Sequence, residues 1–308
     1  MTVPSDDELL FLALGGAGEI GMNLNLYGHA GKWLMVDLGI GFADDSMPGI
    51  EVVMPDPAFI EERRHDLVGI VLTHAHEDHL GAVADLWPRL EAPVYATPFA
   101  ASVLRRKLIE AGLVDTVPVT EIPLGGKFGL APFELELITM THSILEPNAL
   151  AIRTRLGTVF HTGDWKIDPE PLLGEVTDEA MLRRIGDEGA LAMVCDSTNV
   201  FVEGEAGSEA TVRANLEKLV KVSRGRVAVT CFASNLARVE SAALAAVAAG
   251  RDPVLSGRAL LRMVEAAQEC GYLLDFPPCI PEQQAGYLPR DKVLFICTGS
   301  QGEPRASM

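Results

Sequence analysis

Four residues in a six-residue window, His74, His76, Asp78 and His79, are of the types from which divalent-metal sites are built. Imidazole and carboxylate suit zinc, manganese or iron. The window follows an apolar run at 67–72 that reads as a buried strand. While the chain stays extended, side chains alternate across it, so His74 and His76 point to one side. Asp78 and His79 fall where the chain turns into the next helix, and so face a neighbouring point. The spacing therefore predicts two adjacent metal positions. With seven histidines in 308 residues, three in so short a window argue against random surface placement.

Two more residues complete this expectation. His142 lies in Thr141-His142-Ser143, at the end of a strand predicted over 133–139. Asp164 follows Gly163 at the end of a hairpin formed by 149–153 and 158–161. His74, His76 and His142 are expected to hold one ion, and Asp78 and His79 the other, with Asp164 bridging. Two ions about 3.5–4 Å apart share a water, lower its pKa and clamp a phosphoryl oxygen, so a bridging hydroxide is the expected nucleophile. Asp196, after a strand over 191–195, reads either as a turn former or as a carboxylate orienting a metal-bound histidine. Asp78, Asp164 and Asp196 are the candidate catalytic acids.

The elements that must position these groups follow from the pattern. A short apolar strand near 10–14 runs into a glycine loop, with G-x-G-x-x-G from Gly16 to Gly21. A strand follows the loop where a dinucleotide-binding fingerprint needs a helix, so that reading is set aside. Residues 23–27 and 32–38 read as a hairpin across His29-Ala30-Gly31, with His29 taken as a turn residue. His65 is expected on an exposed helix. A helix to about 87, a strand at 94–97, a helix from Pro98 to Gly112 and strands at 117–122 and 127–130 complete this part.

From about residue 204 the texture changes. Helices at 211–222, 234–250 and 258–270 alternate with strands at 226–231, 253–255 and 292–297, the pattern of a parallel, doubly wound sheet. The expected domains are thus 1–203 and 204–308. Two loops at strand ends, 232–235 and 298–303, read either as ordinary caps or as phosphate contacts, with Ser234, Asn235, Ser300 and Gln301 as the candidates. Neither is a P-loop, since no Gly-Lys-Ser/Thr follows.

Composition sets limits. The formal charge is −18, from 43 acidic and 25 basic residues. That argues against a broadly basic nucleic-acid binder. No apolar run reaches the roughly 18 residues of a membrane span, and Met1 to Leu10 has no basic signal-peptide region. Five scattered cysteines without a C-x-x-C pair suggest reduced thiols and a cytoplasmic protein.

The H-x-H-x-D-H window resembles the signature of the metallo-β-lactamase superfamily. Further segments resemble its β-CASP branch, ribonuclease J in particular. They are Gly18-Glu19-Ile20-Gly21-Met22-Asn23, Val36-Asp37-Leu38-Gly39, Pro48-Gly49-Ile50 with Pro55-Asp56, and Thr141-His142-Ser143-Ile144. His161-Thr162-Gly163-Asp164 with Lys166-Ile167-Asp168-Pro169, Asp196-Ser197-Thr198-Asn199, Phe232-Ala233-Ser234-Asn235 and Thr298-Gly299-Ser300-Gln301-Gly302-Glu303-Pro304 follow in the family's order. The resemblance implies an αββα metallo-β-lactamase sandwich carrying an inserted α/β β-CASP domain. It implies a metal-dependent ribonuclease acting 5′ to 3′ and endonucleolytically on RNA, favouring 5′-monophosphate ends. It also implies zinc, with manganese or magnesium as alternatives, and dimers or tetramers. Asp196 falls at the first β-CASP motif.

The chain departs from the family pattern in two places. His142 is followed by Ser143-Ile144-Leu145-Glu146-Pro147, where the family has His-Ser-Ile-Pro-Asp-Ser, so this loop is expected to meet substrate differently. The family's later His-Ala-Ser-Gly-His phosphate segment and last histidine ligand have no counterpart, as no histidine follows His161. The expectation is a chain ending within the β-CASP domain, with an incomplete second metal position. Two other readings compete. One is a hydrolase of a small ester, thioester or lactone on the same fold, against which the insertion counts. The other is a non-catalytic RNA-binding or assembly fragment.

Overall fold

The computed structural model describes residues 3–43 and 46–299. Two compact units divide the chain. One comprises 1–140, 146–165 and 177–203; the other comprises 141–145, 166–176 and 204–308.

Two facing sheets build the first unit. Strands β1 (Leu9–Gly15), β2 (Leu24–His29) and β3 (Lys32–Val36) form an antiparallel meander. A two-stranded ribbon, β4 (Gly41–Phe42) and β5 (Val52–Val53), follows. Next, β6 (Leu67–Val71), β7 (Val94–Ala96) and β8 (Val119–Glu121) extend the first sheet in parallel, in the order β1-β2-β3-β6-β7-β8. The second sheet runs β13-β12-β11-β10-β9, from β9 (Lys127–Leu130), β10 (Phe133–Thr139), β11 (Asn148–Thr154), β12 (Gly157–His161) and β13 (Ala192–Val194).

Alternation explains why the sheets stack. Phe133, Leu135 and Leu137 of β10 join Tyr27, Leu34, Val36, Val71, Leu150, Ile152 and Val159 in one buried cluster. On the other face of the second sheet, Ile138, Ala149 and Ala151 pack against Ile185, Met181 and Leu182. Those last three lie on a helix over Glu179–Glu188 that the sequence pattern does not predict. In chain order the helices are α1 (Ala58–Glu61), α2 (Glu77–Leu80), α3 (Val83–Leu90), α4 (Pro98–Glu110) and this one, α5. The layering is that of an αββα sandwich, as expected.

The second unit has a parallel sheet in the order β14-β16-β15: β14 (Val227–Thr230), β15 (Asp252–Ser256) and β16 (Val293–Cys297). Helices α6 (Glu209–Val222), α7 (Leu236–Ala248), α8 (Arg258–Glu269) and α9 (Glu282–Ala285) accompany it. Parallel strands joined by helices match the expected doubly wound pattern.

Two local expectations need correction. His29 is not a turn residue: it ends β2 opposite Lys32, is buried, and its Nδ1 lies 2.7 Å from the Glu8 carbonyl. The turn is Ala30-Gly31, both with positive φ, as a two-residue hairpin demands. His65 sits in a 3-10 turn, Arg64–Asp66, and not on an α-helix.

Candidate metal centre

The motif's local fold follows from how β6 ends. The chain leaves β6 at Val71, bends at Thr73 and Ala75, and enters α2 at Glu77. His74 Nε2 and His76 Nδ1 approach to 3.0 Å, so the two rings converge on one point. Asp78 and His79 lie in the single turn of α2, and the His79 ring packs 4.0 Å, centroid to centroid, from the His74 ring.

His79 is buried and held from both sides. Its Nδ1–H donates to Asp37 Oδ2 at 2.7 Å. Its Nε2 lies 3.3 Å from Asp164 Oδ1 and 3.6 Å from Asp78 Oδ2. Asp37 also accepts from the Thr73 N–H at 2.8 Å and from the Thr73 hydroxyl. Wholly buried at the end of β3, with a left-handed φ of 64°, it is the carboxylate that orients a histidine in this site. In the sequence, Asp37 stands within Val36-Asp37-Leu38-Gly39 with no pattern that marks this role. The available signal was an acid ending an apolar strand.

Two groups of ligand atoms result. His74, His76, His142 and Asp164 form one; Asp78, His79 and Asp164 form the other; within each group the atoms lie within 4.8 Å of one another. Asp164 belongs to both. Three imidazoles with a carboxylate, beside an imidazole with two carboxylates, are donor sets that fit divalent ions. The electrostatics fit too. Burial, with Asp164 adding to it, pushes the Asp78 carboxyl up. For His79, burial opposes the charged form, yet Asp37 and Asp164 outweigh it and raise the pKa well above the usual imidazole value. Carboxylates crowded around a buried ring hold protons that a cation would displace.

Neighbouring groups have other uses. His161, at the end of β12, is held down to about 4 by burial, and its Nδ1 shares a 2.8 Å hydrogen bond with the Tyr27 hydroxyl. Asp196 receives the Thr198 N–H on Oδ1 at 2.8 Å, the turn-forming use, while its own N–H donates to Thr162 Oγ1. Glu146, in the loop where the chain departs from the family pattern, is buried and accepts from the Phe99 N–H in the first turn of α4.

In the second unit, Asn235 caps α7, its Oδ1 accepting from the Arg238 N–H at 3.0 Å. Ser234 immediately precedes it. Ser300 and Gln301 lie outside the described residues.

With this geometry in place, the likenesses are specific. Residues 33–182 match the beta-lactamase superfamily domain, and residues 224–308 match the ribonuclease J beta-CASP domain. Ribonuclease J of Sinorhizobium meliloti is 50% identical over 307 residues, which cover 98% of this chain and 54% of the relative. The chain belongs to the ribonuclease J family. Ribonuclease J of Mycolicibacterium smegmatis is 40% identical over 298 residues, covering 96% of this chain and 53% of that protein. The chain thus spans about half the length of the curated relatives it matches. A crystal structure of a protein of unknown function from Enterococcus faecalis V583 shares the fold, with a TM-score of 0.64 at 15% identity. That match covers 94% of this chain and 76% of the other. The family's metallo-β-lactamase fold implies divalent metal binding, and the two ligand groups are where it would occur. Among the described residues, no helix is long and apolar enough to cross a membrane.

Proposed function

We propose that the chain is the metal-binding part of a ribonuclease of the ribonuclease J type, hydrolysing RNA phosphodiesters from 5′-monophosphorylated ends and internally. The observation that carries this reading is the pair of ligand groups sharing Asp164 in a chain that belongs to this family. His74, His76 and His142 would hold one ion, Asp78 and His79 the other, and Asp164 both. Zinc suits these donors best, with manganese or magnesium as alternatives. When bound, such ions lower the pKa of a shared water and polarise a phosphoryl oxygen.

The chain's own residues prepare that chemistry. Asp37 holds the His79 ring through Nδ1, so Nε2 is the atom that would meet an ion. Ser234, Asn235, Ser300 and Gln301 are proposed to contact phosphate. Because Asn235 Oδ1 caps α7, its contribution would come from the side-chain N–H groups. Asp196 is proposed to support the metal site from its turn. Domains over 1–203 and 204–308, homo-oligomers and a cytoplasmic setting complete the proposal; five cysteines outside any disulfide support the last.

The test uses the protein at the full length of its relatives, with zinc or manganese and RNA bearing 5′-mono- or 5′-triphosphate. Faster decay of the monophosphorylated RNA is expected. Turnover of a thioester or lactone with RNA left intact would overturn the proposal, as would RNA binding without cleavage.

A further inference from the structure

The glycine-rich loop between β1 and β2 takes no part in the chemistry above, yet it delivers one residue to the metal motif. Asn23, just before β2, donates both its main-chain N–H and its side-chain Nδ2–H to the Asp78 carbonyl, each at 3.0 Å. Its own carbonyl accepts from the Gly39 N–H at 3.0 Å. Its Nδ2 also stands 3.2 Å from His79 Nε2. One side chain thus spans the backbone of one candidate ligand and the ring of the next.

The Asp78 carbonyl needs this partner. In a longer helix it would accept from Ala82 N–H, four residues on. Here α2 stops at Leu80, and Ala82 N–H donates to the Leu38 carbonyl instead. A carbonyl released from the helix ladder in a half-buried place requires another donor, and Asn23 supplies two. The amide orientation is chemically determined, since turning it over would set Oδ1 against the Asp78 oxygen.

The surrounding glycines make room for the clamp. A Cβ on Gly16 would lie 2.2 Å from Asn23 Oδ1, and one on Gly39 would lie 1.7 Å from the Asp78 oxygen. Within the G-x-G-x-x-G pattern it is Gly16 that makes room for Asn23, while a Cβ on Gly18 would meet nothing within 4 Å.

We propose that Asn23 is a positioning residue for the Asp78–His79 metal position. It holds these two groups where an ion can join them, without being a ligand itself. The proposal rests on the metal-centre reading.

The test is calorimetric titration of the 308-residue chain, stripped with EDTA, with zinc, and again with cobalt to follow its visible spectrum. Two binding steps are expected in the native chain. Asn23→Ala and Asn23→Asp should each weaken the weaker step about tenfold or more, the usual cost of losing an outer support, and leave the tighter step unchanged. Asn23→Asp is nearly isosteric and decides the question if the alanine variant does not fold. Tighter binding of the second ion by Asn23→Asp would make residue 23 a ligand and overturn the proposal. Equal weakening of both steps, or no change in either, would also overturn it. A native chain with one step refutes the role of Asn23 but leaves the first metal position standing. A chain that binds no ion refutes the metal-centre reading itself.

Discussion

At the scale of single residues, the site depends on groups that contact no ion. Asp37 fixes the ring of His79 and receives Thr73, so one carboxylate ties β3 to the metal motif. Replacing it with alanine should weaken the Asp78–His79 position by roughly 10- to 100-fold, measured by competition with a chromophoric chelator. His161 gives a second prediction. Its folded pKa, pushed down to about 4 by burial, lies below that of an exposed imidazole. Between those values the unfolded chain binds the proton and the folded chain does not, so stability falls as pH drops from about 6.5 to about 4. His161→Gln should flatten that part of the denaturant-midpoint profile. At this scale the candidate ligands that the structure brings together could be named from the sequence, because metal chemistry restricts residue type and spacing tightly. Asp37 was not, since its role depends on a left-handed backbone and on a histidine 42 positions away.

At the scale of elements, most strands were readable as apolar or alternating runs. Helix α5 was not. Its apolar face is only Met181, Leu182 and Ile185, set among charged residues, and an irregular stretch precedes its Asp178 cap. That helix also guards an acid inside the second sheet. Glu136 of β10 is fully buried and pairs with Arg153 at 2.7 Å, Arg184 of α5 at 2.6 Å and Lys127 at 3.1 Å. Burial would raise its pKa, but the three cations outweigh it and bring the carboxyl to about 2. Its contribution to stability is present above about 4.5 and is lost as pH falls towards 2. Glu136→Gln should cost about 3 kcal/mol at neutral pH, read by urea unfolding, and should remove the dependence in that acid range. Glu146→Ala should cost about 1 kcal/mol by exposing the first turn of α4, seen as a lower melting temperature.

At the scale of the whole molecule, the alternation of strands and helices after residue 204 was legible, because their hydrophobic periods differ. The assignment of 141–145 and 166–176 to the second unit was not, because it arises from tertiary contacts. A last prediction belongs here. The described residues give one metal position four protein groups and the other three, with Asp164 counted in both. The 308-residue chain should therefore hold one ion more tightly than the second and show little nuclease activity. Elemental analysis after dialysis, with an RNA decay assay, checks this. Two equally tight ions and processive decay would refute it.

His74 and Asp164 are 90 positions apart and extend from different sheets of the first unit. Both ligand groups that share Asp164 are therefore complete only once the two sheets have stacked. An ion that binds only the stacked form raises its stability in proportion to the logarithm of free metal over Kd. It would act as a rivet through the sandwich, slowing amide exchange in β6 and β12 together, and chelation would loosen both strands at once.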